Sequence, residues 1–129
     1  MILHESAEDY LETILILKQR QGSVRSIDVV NEKGYSKPSV SVAMKKLRQS
    51  GHITVDGDGC ISLTESGAQV ADRVYRRHRL LTRFFVTLGV DEATAAADAC
   101  KIEHDLSEET FNRILEHARR HLGDLPEET

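Results

Sequence analysis

Apolar positions recur at helical spacing over most of the chain. Tyr10, Leu11, Ile14 and Leu17 fall at i, i+1, i+4 and i+7, predicting an amphipathic helix from Ser6 to about Gln19 that Gly22 ends. A short helix from Ser26 to Lys33 is expected next, with Ser26 as N-cap and Gly34 just beyond the C-cap. Ser36 can cap the following helix, Pro38 is tolerated in its first turn, and Val40, Ala43, Met44 and Leu47 repeat until Gly51. One region has period 2: Ile53 and Val55, then Asp56-Gly57-Asp58-Gly59, then Ile61 and Leu63. It predicts a two-stranded hairpin. A long helix from about Glu65 to Leu88, capped by Thr64 and closed by Gly89, carries Val70, Val74, Leu81, Phe84, Phe85 and Leu88. Its end is richer in apolar side chains than a lone surface helix needs, so association is expected there. Asp91 to about His104 reads as further short helix, and Ser107 caps a last one through Phe111, Ile114, Leu115 and Ala118 to Gly123, with a frayed tail after Leu125.

Helix, short helix, tight turn, capped helix and hairpin is the order of a winged helix-turn-helix, whose second paired helix enters the major groove. Residues 36 to 48 meet the physical requirement: Val40, Ala43, Met44 and Leu47 point inward, while small, polar and cationic side chains cover the rest. Ser36, Lys37, Pro38, Ser39 and Ser41 offer hydroxyls, a cation and a helix terminus to phosphates and bases, and Val42, Lys45 and Lys46 continue that face. Arg25 and Lys45 are the candidates for backbone contact. The hairpin from His52 to Leu63 is the wing, although Asp56 and Asp58 at its tip would repel phosphate. Charge supports this reading once mapped along the chain. The whole carries −4, but Lys18 to Arg48 holds eight basic residues against Asp28 and Glu32, a segment charge of +6, leaving −10 elsewhere. A basic surface meets a polyanion, and an acidic remainder is suited to collecting cations.

Those acids are not scattered. In Cys100-Lys101-Ile102-Glu103-His104, positions i, i+3 and i+4 place a thiol, a carboxylate and an imidazole on one face of a helical turn. Asp9 and Glu12 stand at i, i+3 on the first helix, and His78 lies on the long one. Mixed carboxylate and imidazole donors suit manganese and iron, and a thiolate shifts preference toward iron, cobalt or zinc. Solvated side chains would show the same spacings. The length of 129 residues suits one domain or a small module with a helical extension; no apolar run is long enough to span a membrane and no secretory leader is visible, so a cytoplasmic location is expected. Cys60 and Cys100 then read as free thiols or ligands rather than a bridge, with Cys60 structural or incidental. His4, His52, His117 and His121 read as surface residues.

Residues 7 to 14 (Ala-Glu-Asp-Tyr-Leu-Glu-Thr-Ile), 36 to 47, 75 to 81 (Tyr-Arg-Arg-His-Arg-Leu-Leu) and 98 to 107 (Asp-Ala-Cys-Lys-Ile-Glu-His-Asp-Leu-Ser) resemble the iron- and manganese-dependent repressor family typified by the diphtheria toxin repressor and the manganese transport regulator. The likeness covers about residues 5 to 122, with four motifs in order. It implies a mainly α chain: a winged helix-turn-helix DNA-binding domain at 1–72, a helical metal-binding and dimerisation domain at 73–129, and no SH3-like third domain. It also implies that Asp9, Glu12, His78, Cys100, Glu103 and His104 are metal ligands.

The departures from the family pattern sharpen the reading. Asp9 matches the manganese subtype, where the iron subtype has methionine, whereas Cys100 resembles the iron subtype, where the manganese subtype has a carboxylate. Thr82 stands where the iron subtype's ancillary site needs an acid, and Val42 replaces a longer polar residue, so operator preference does not carry over. The resemblance suggests two neighbouring ions per subunit, one favouring Glu12 with His78 and one favouring Asp9 with Cys100 and His104, bridged by Glu103. Mn2+ or Fe2+ is the expected metal, with Co2+ and Zn2+ possible in vitro. The implied function is a homodimeric repressor of metal uptake genes, activated by metal for double-stranded operator DNA. Its recognition helices would be spaced to match successive major-groove faces, roughly 34 Å apart. Competing readings are a metal-independent winged-helix regulator sensing another ligand, or a protein-interaction module. A hydrolytic enzyme is disfavoured, because the chain shows no separate general base or phosphate-cradling glycine loop.

Overall fold

The computed structural model describes residues 5–121; His4, Gly123 and the tail after Leu125 lie outside them. The chain divides into two compact units, one reaching to Asp72 and the other starting at Arg73. The first contains α1 (Glu5–Gln21), α2 (Ser26–Lys33), α3 (Lys37–Gln49), β1 (Ile53–Val55), β2 (Ile61–Leu63) and the start of α4 (Glu65–Thr87). The division falls within α4, and the second unit continues with α5 (Glu92–Ile102) and α6 (Glu108–His121).

In the first unit the helical stripe read from the sequence is the core. Leu11 and Ile14 of α1 are fully buried with Val29 of α2, Val40 of α3 and Ile61 of β2, and Met44, Leu47 and Ile53 close the cluster. Each such side chain contributes roughly 1.5–3 kcal/mol by leaving water. Ser36 caps α3, its Oγ accepting from Ser39 N–H at 3.2 Å. Ser26 does not cap α2: Arg25 occupies the cap position, and Asp28 three residues on reaches back to accept from the Arg25 backbone N–H at 2.8 Å. A carboxylate in the first turn thus does the work expected of the hydroxyl, and it also suits the positive end of the helix dipole. Gly34, at φ 71°, makes the left-handed turn into α3.

The wing is an antiparallel pair with Ile53 opposite Leu63, Thr54 opposite Ser62 and Val55 opposite Ile61. It is the only sheet among the described residues. Ile61 N–H donates to the Val24 carbonyl at 2.7 Å, which ties the wing to the α1–α2 link. Asp56 is consumed by its own turn, accepting from the N–H groups of Asp58 at 2.8 Å and Cys60 at 2.9 Å. It stabilises the hairpin rather than simply presenting charge at the tip. Thr64 leads into α4, accepting from Gly67 N–H at 3.1 Å and donating to the Gly51 carbonyl at 2.7 Å. Gly67 is required there, since a Cβ would overlap the His52 carbonyl.

In the second unit Leu80 and Leu81 of α4 pack with Ala99 of α5 and with Phe111 and Leu115 of α6. Asp91 caps α5 through the N–H groups of Ala93 and Thr94, and Ser107 caps α6 through Thr110 N–H at 3.1 Å. Helix α5 stops at Ile102, two residues short of the expected His104. Glu103 keeps α-helical angles and donates its N–H to the Ala99 carbonyl, but His104 belongs to the turn that follows. The thiol and carboxylate therefore share a helical face, whereas the imidazole is placed by the turn.

Candidate metal centre and nucleic-acid interface

Helix α3 buries Val40, Met44 and Leu47 and exposes Ser39, Ser41, Val42, Lys45, Lys46 and Arg48. Two hydroxyls meet at its N-terminus, Ser36 Oγ donating to Ser39 Oγ at 2.8 Å. Lys37 and Pro38 are exposed in the first turn, and Arg25 is exposed before α2. Val42 is 54% exposed, an aliphatic side chain held in water among cations and hydroxyls. A thymine methyl is the groove feature such a side chain can cover.

The basic segment is less uniform than its charge count. Arg20 donates to both oxygens of Glu32, at 2.7 and 3.4 Å, and this bond holds the Glu32 carboxyl below the usual carboxylate range while Glu32 pushes Arg20 up. Lys33 Nζ lies 2.8 Å from Asp9 Oδ2. Two of the eight cations, Arg20 and Lys33, are thus in ion pairs within the unit itself, pairings that spacings of twelve and more residues do not announce.

In the first unit, Asp9 and Glu12 stand one turn apart on α1, with Asp9 half-buried and Glu12 only 5% exposed. The adjacent Thr13 hydroxyl, also buried, donates back to the Asp9 carbonyl at 2.8 Å. In the second unit, three of the expected ligands come together. His78 Nδ1 of α4 lies 2.8 Å from Glu103 Oε2, and His104 Nε2 lies 3.4 Å from Glu103 Oε1. Glu103 is 1% exposed, and Cys100, half-buried, stands one turn before it on α5. Two imidazoles converging on a buried carboxylate are donors that a divalent transition ion takes, so these residues fit such an ion.

Sequence reasoning missed Arg77. It is 7% exposed, donates to the carbonyls of Glu103 at 3.1 Å and Leu106 at 2.7 Å, pairs with Glu108 at 2.9 Å and lies over the Phe111 ring. It therefore staples the turn that carries Glu103 and His104 to α4. The signal was present: Val74, Arg77 and Leu81 share one helical stripe, and an arginine on an apolar stripe must find buried acceptors.

Known proteins share both units. The model of the iron-dependent repressor N-terminal DNA-binding domain matches residues 2–60, and that of the iron-dependent repressor metal-binding and dimerisation domain matches residues 64–121. An uncharacterised HTH-type transcriptional regulator of Methanocaldococcus jannaschii is 33% identical over 114 residues, covering 87% of this chain and 91% of that protein. The transcriptional regulator MntR of Salmonella typhimurium is 32% identical over 117 residues, covering 91% of this chain and 74% of that protein. Among solved structures, a manganese-dependent transcriptional repressor in complex with manganese has TM-score 0.82 at 27% identity, over 94% of this chain and 62% of that one. The manganese regulator SloR has TM-score 0.80 at 26% identity, over 95% of this chain and 60% of that one. This chain thus spans about three-fifths of the length of these solved relatives. With both domain models matched, and over nine-tenths of the chain aligned to a curated transcriptional regulator, the chain belongs to the iron-dependent repressor family, which comprises metal-dependent DNA-binding transcriptional repressors rather than enzymes.

Proposed function

We propose that this chain is a cytoplasmic, homodimeric repressor that binds operator DNA when loaded with Mn2+ or Fe2+ and so controls metal uptake genes. The observation that carries the reading is the convergence of His78 and His104 on the buried Glu103 carboxylate, within the domain whose family model is metal-binding and dimerising. Asp9, Glu12, His78, Cys100, Glu103 and His104 would hold the metal, with room in the donor count for two ions per subunit. The ion supplies positive charge that lets several carboxylates and a thiolate occupy one place. It would offset the like charges of Asp9 and Glu12 on α1, and of Cys100 on α5 with Glu103 just beyond that helix. Manganese is favoured by Asp9 and by the relatives named for manganese, and Cys100 adds a soft donor that suits iron or cobalt. Dimerisation is assigned to the end of α4, where Val86 and Leu88 are 36% and 64% exposed.

On DNA, the α3 face from Ser36 through Lys46, together with Arg25, supplies the contacts: Arg25, Lys37, Lys45 and Lys46 to phosphates, Ser39, Ser41 and Val42 toward base edges. Linkage makes the coupling reciprocal, so operator DNA tightens metal binding by the same factor by which metal tightens DNA binding, typically about 5- to 150-fold. A gel-shift titration at fixed salt against Mn2+, Fe2+, Co2+ and Zn2+ tests the reading. The expected result is operator binding that rises with Mn2+ or Fe2+; equal affinity with and without either ion overturns it in favour of a metal-independent regulator.

A further inference from the structure

We propose that Lys33 is a built-in competitor of the metal at Asp9, setting how much divalent ion is needed before Asp9 of α1 gives up its ion pair with α2. The inference rests on the reading of Asp9 as a ligand. Lys33 Nζ sits 2.8 Å from Asp9 Oδ2, and the two side chains are only 21% and 13% exposed, so water screens the pair far less than it screens a surface bridge. The root of the lysine is fixed, because it ends α2 and Gly34 turns the chain at φ 71° directly after it. Its ammonium also lies 5.7 Å from the centroid of the Tyr35 ring, which packs edge-on against Tyr10 of α1. The ammonium is thus held against α1 by a carboxylate and an aromatic face together.

A compact monovalent cation and a divalent ion make the same demand on the Asp9 carboxylate. An incoming ion must displace Lys33 or accept a positive neighbour within a few ångströms, and both cost affinity. The cost falls at the Asp9 position, which makes Lys33 a device for setting the threshold rather than a ligand. It is also the reason the positive count of the basic segment overstates its DNA-facing charge.

Mn2+ binding to the full chain, followed by loss of the free-ion paramagnetic resonance signal, tests the proposal without reference to DNA. Lys33→Met keeps the aliphatic stem and removes the charge; it is expected to tighten apparent Mn2+ affinity by about tenfold, the scale of one neighbouring charge on an ionisable site. Lys33→Gln, as a second neutral variant, should do the same, and Lys33→Arg should not tighten binding. Lys18→Met removes a lysine elsewhere on α1 and should leave the affinity unchanged. Folded Lys33→Met and Lys33→Gln proteins that bind Mn2+ like the wild type, or a Lys18→Met protein that tightens equally, would overturn the competition and leave the metal reading standing. A wild-type chain that binds no Mn2+ overturns both.

Discussion

The two units place their candidate functional side chains differently, one in water and the other largely out of it. The DNA-binding unit has an apolar core, with Leu11, Ile14, Val24, Val29, Val40 and Ile61 fully buried, and it keeps the proposed DNA face of Ser39, Ser41, Val42, Lys45 and Lys46 in water. The metal-binding unit keeps the centre of its proposed site inside: Glu103 and Arg77 are 1% and 7% exposed, beside a smaller apolar cluster around Leu81 and Phe111. A polyanion must be met at a surface, because phosphates and base edges come to the protein. A cation of two charges is best held where water is scarce and donors are already gathered. Function and stability should therefore separate on the α3 face of the first unit and be inseparable around Glu103 in the second.

The largest effect is expected at Arg77. Arg77→Met leaves the carbonyls of Glu103 and Leu106 without this donor and should cost about 2–4 kcal/mol in chemical denaturation. The same change should weaken Mn2+ binding by roughly 10- to 100-fold, because the turn that presents Glu103 and His104 loses its staple. Retention of both properties would break the comparison. Next comes Cys100→Ala under cobalt: loss of the sulfur-to-metal charge-transfer band is expected, and an unchanged band removes the thiolate from the site.

Lys45→Ala tests the other side. It should weaken operator binding and flatten the slope of log affinity against log salt by about 0.9 for one lost phosphate contact. Stability should move by no more than about 0.5 kcal/mol. A melting loss comparable to that of Arg77→Met would show that the two units are not organised differently. The smallest effect belongs to Arg20 and Glu32, an exposed pair within the DNA-binding unit. Since the folded protein lowers the Glu32 pKa, the pair contributes stability above the ordinary carboxylate range and loses it as pH falls through the lowered value. Glu32→Gln should therefore be slightly less stable than wild type at neutral pH and converge with it in acid, as read by thermal melts across pH.

Periodicity located the six helices of the described residues and the hairpin to within a few residues, because each element buries one continuous face and most ends carry glycines and capping side chains in the expected places. The cap of α2 was misread for a local reason: Ser26 and Asp28 are both good partners for a helix start, and the sequence does not say which reaches the free N–H. The end of α5 was read two residues long because Glu103 remains helical in its angles while the chain is already turning.

What the sequence alone determined is what depends on neighbours along the chain: helix faces, the hairpin, the paired spacing of Asp9 with Glu12 and of Cys100 with Glu103. Only the tertiary structure decided which charges are already satisfied. Lys33 on Asp9, Arg20 on Glu32, and Arg77 on the Glu103 turn join residues 12 to 26 positions apart. Local repeats cannot encode such partners, because an ion pair is selected by the packing of the elements that carry it, and a charged side chain with no partner in sequence looks the same whether it faces water or a buried carboxylate.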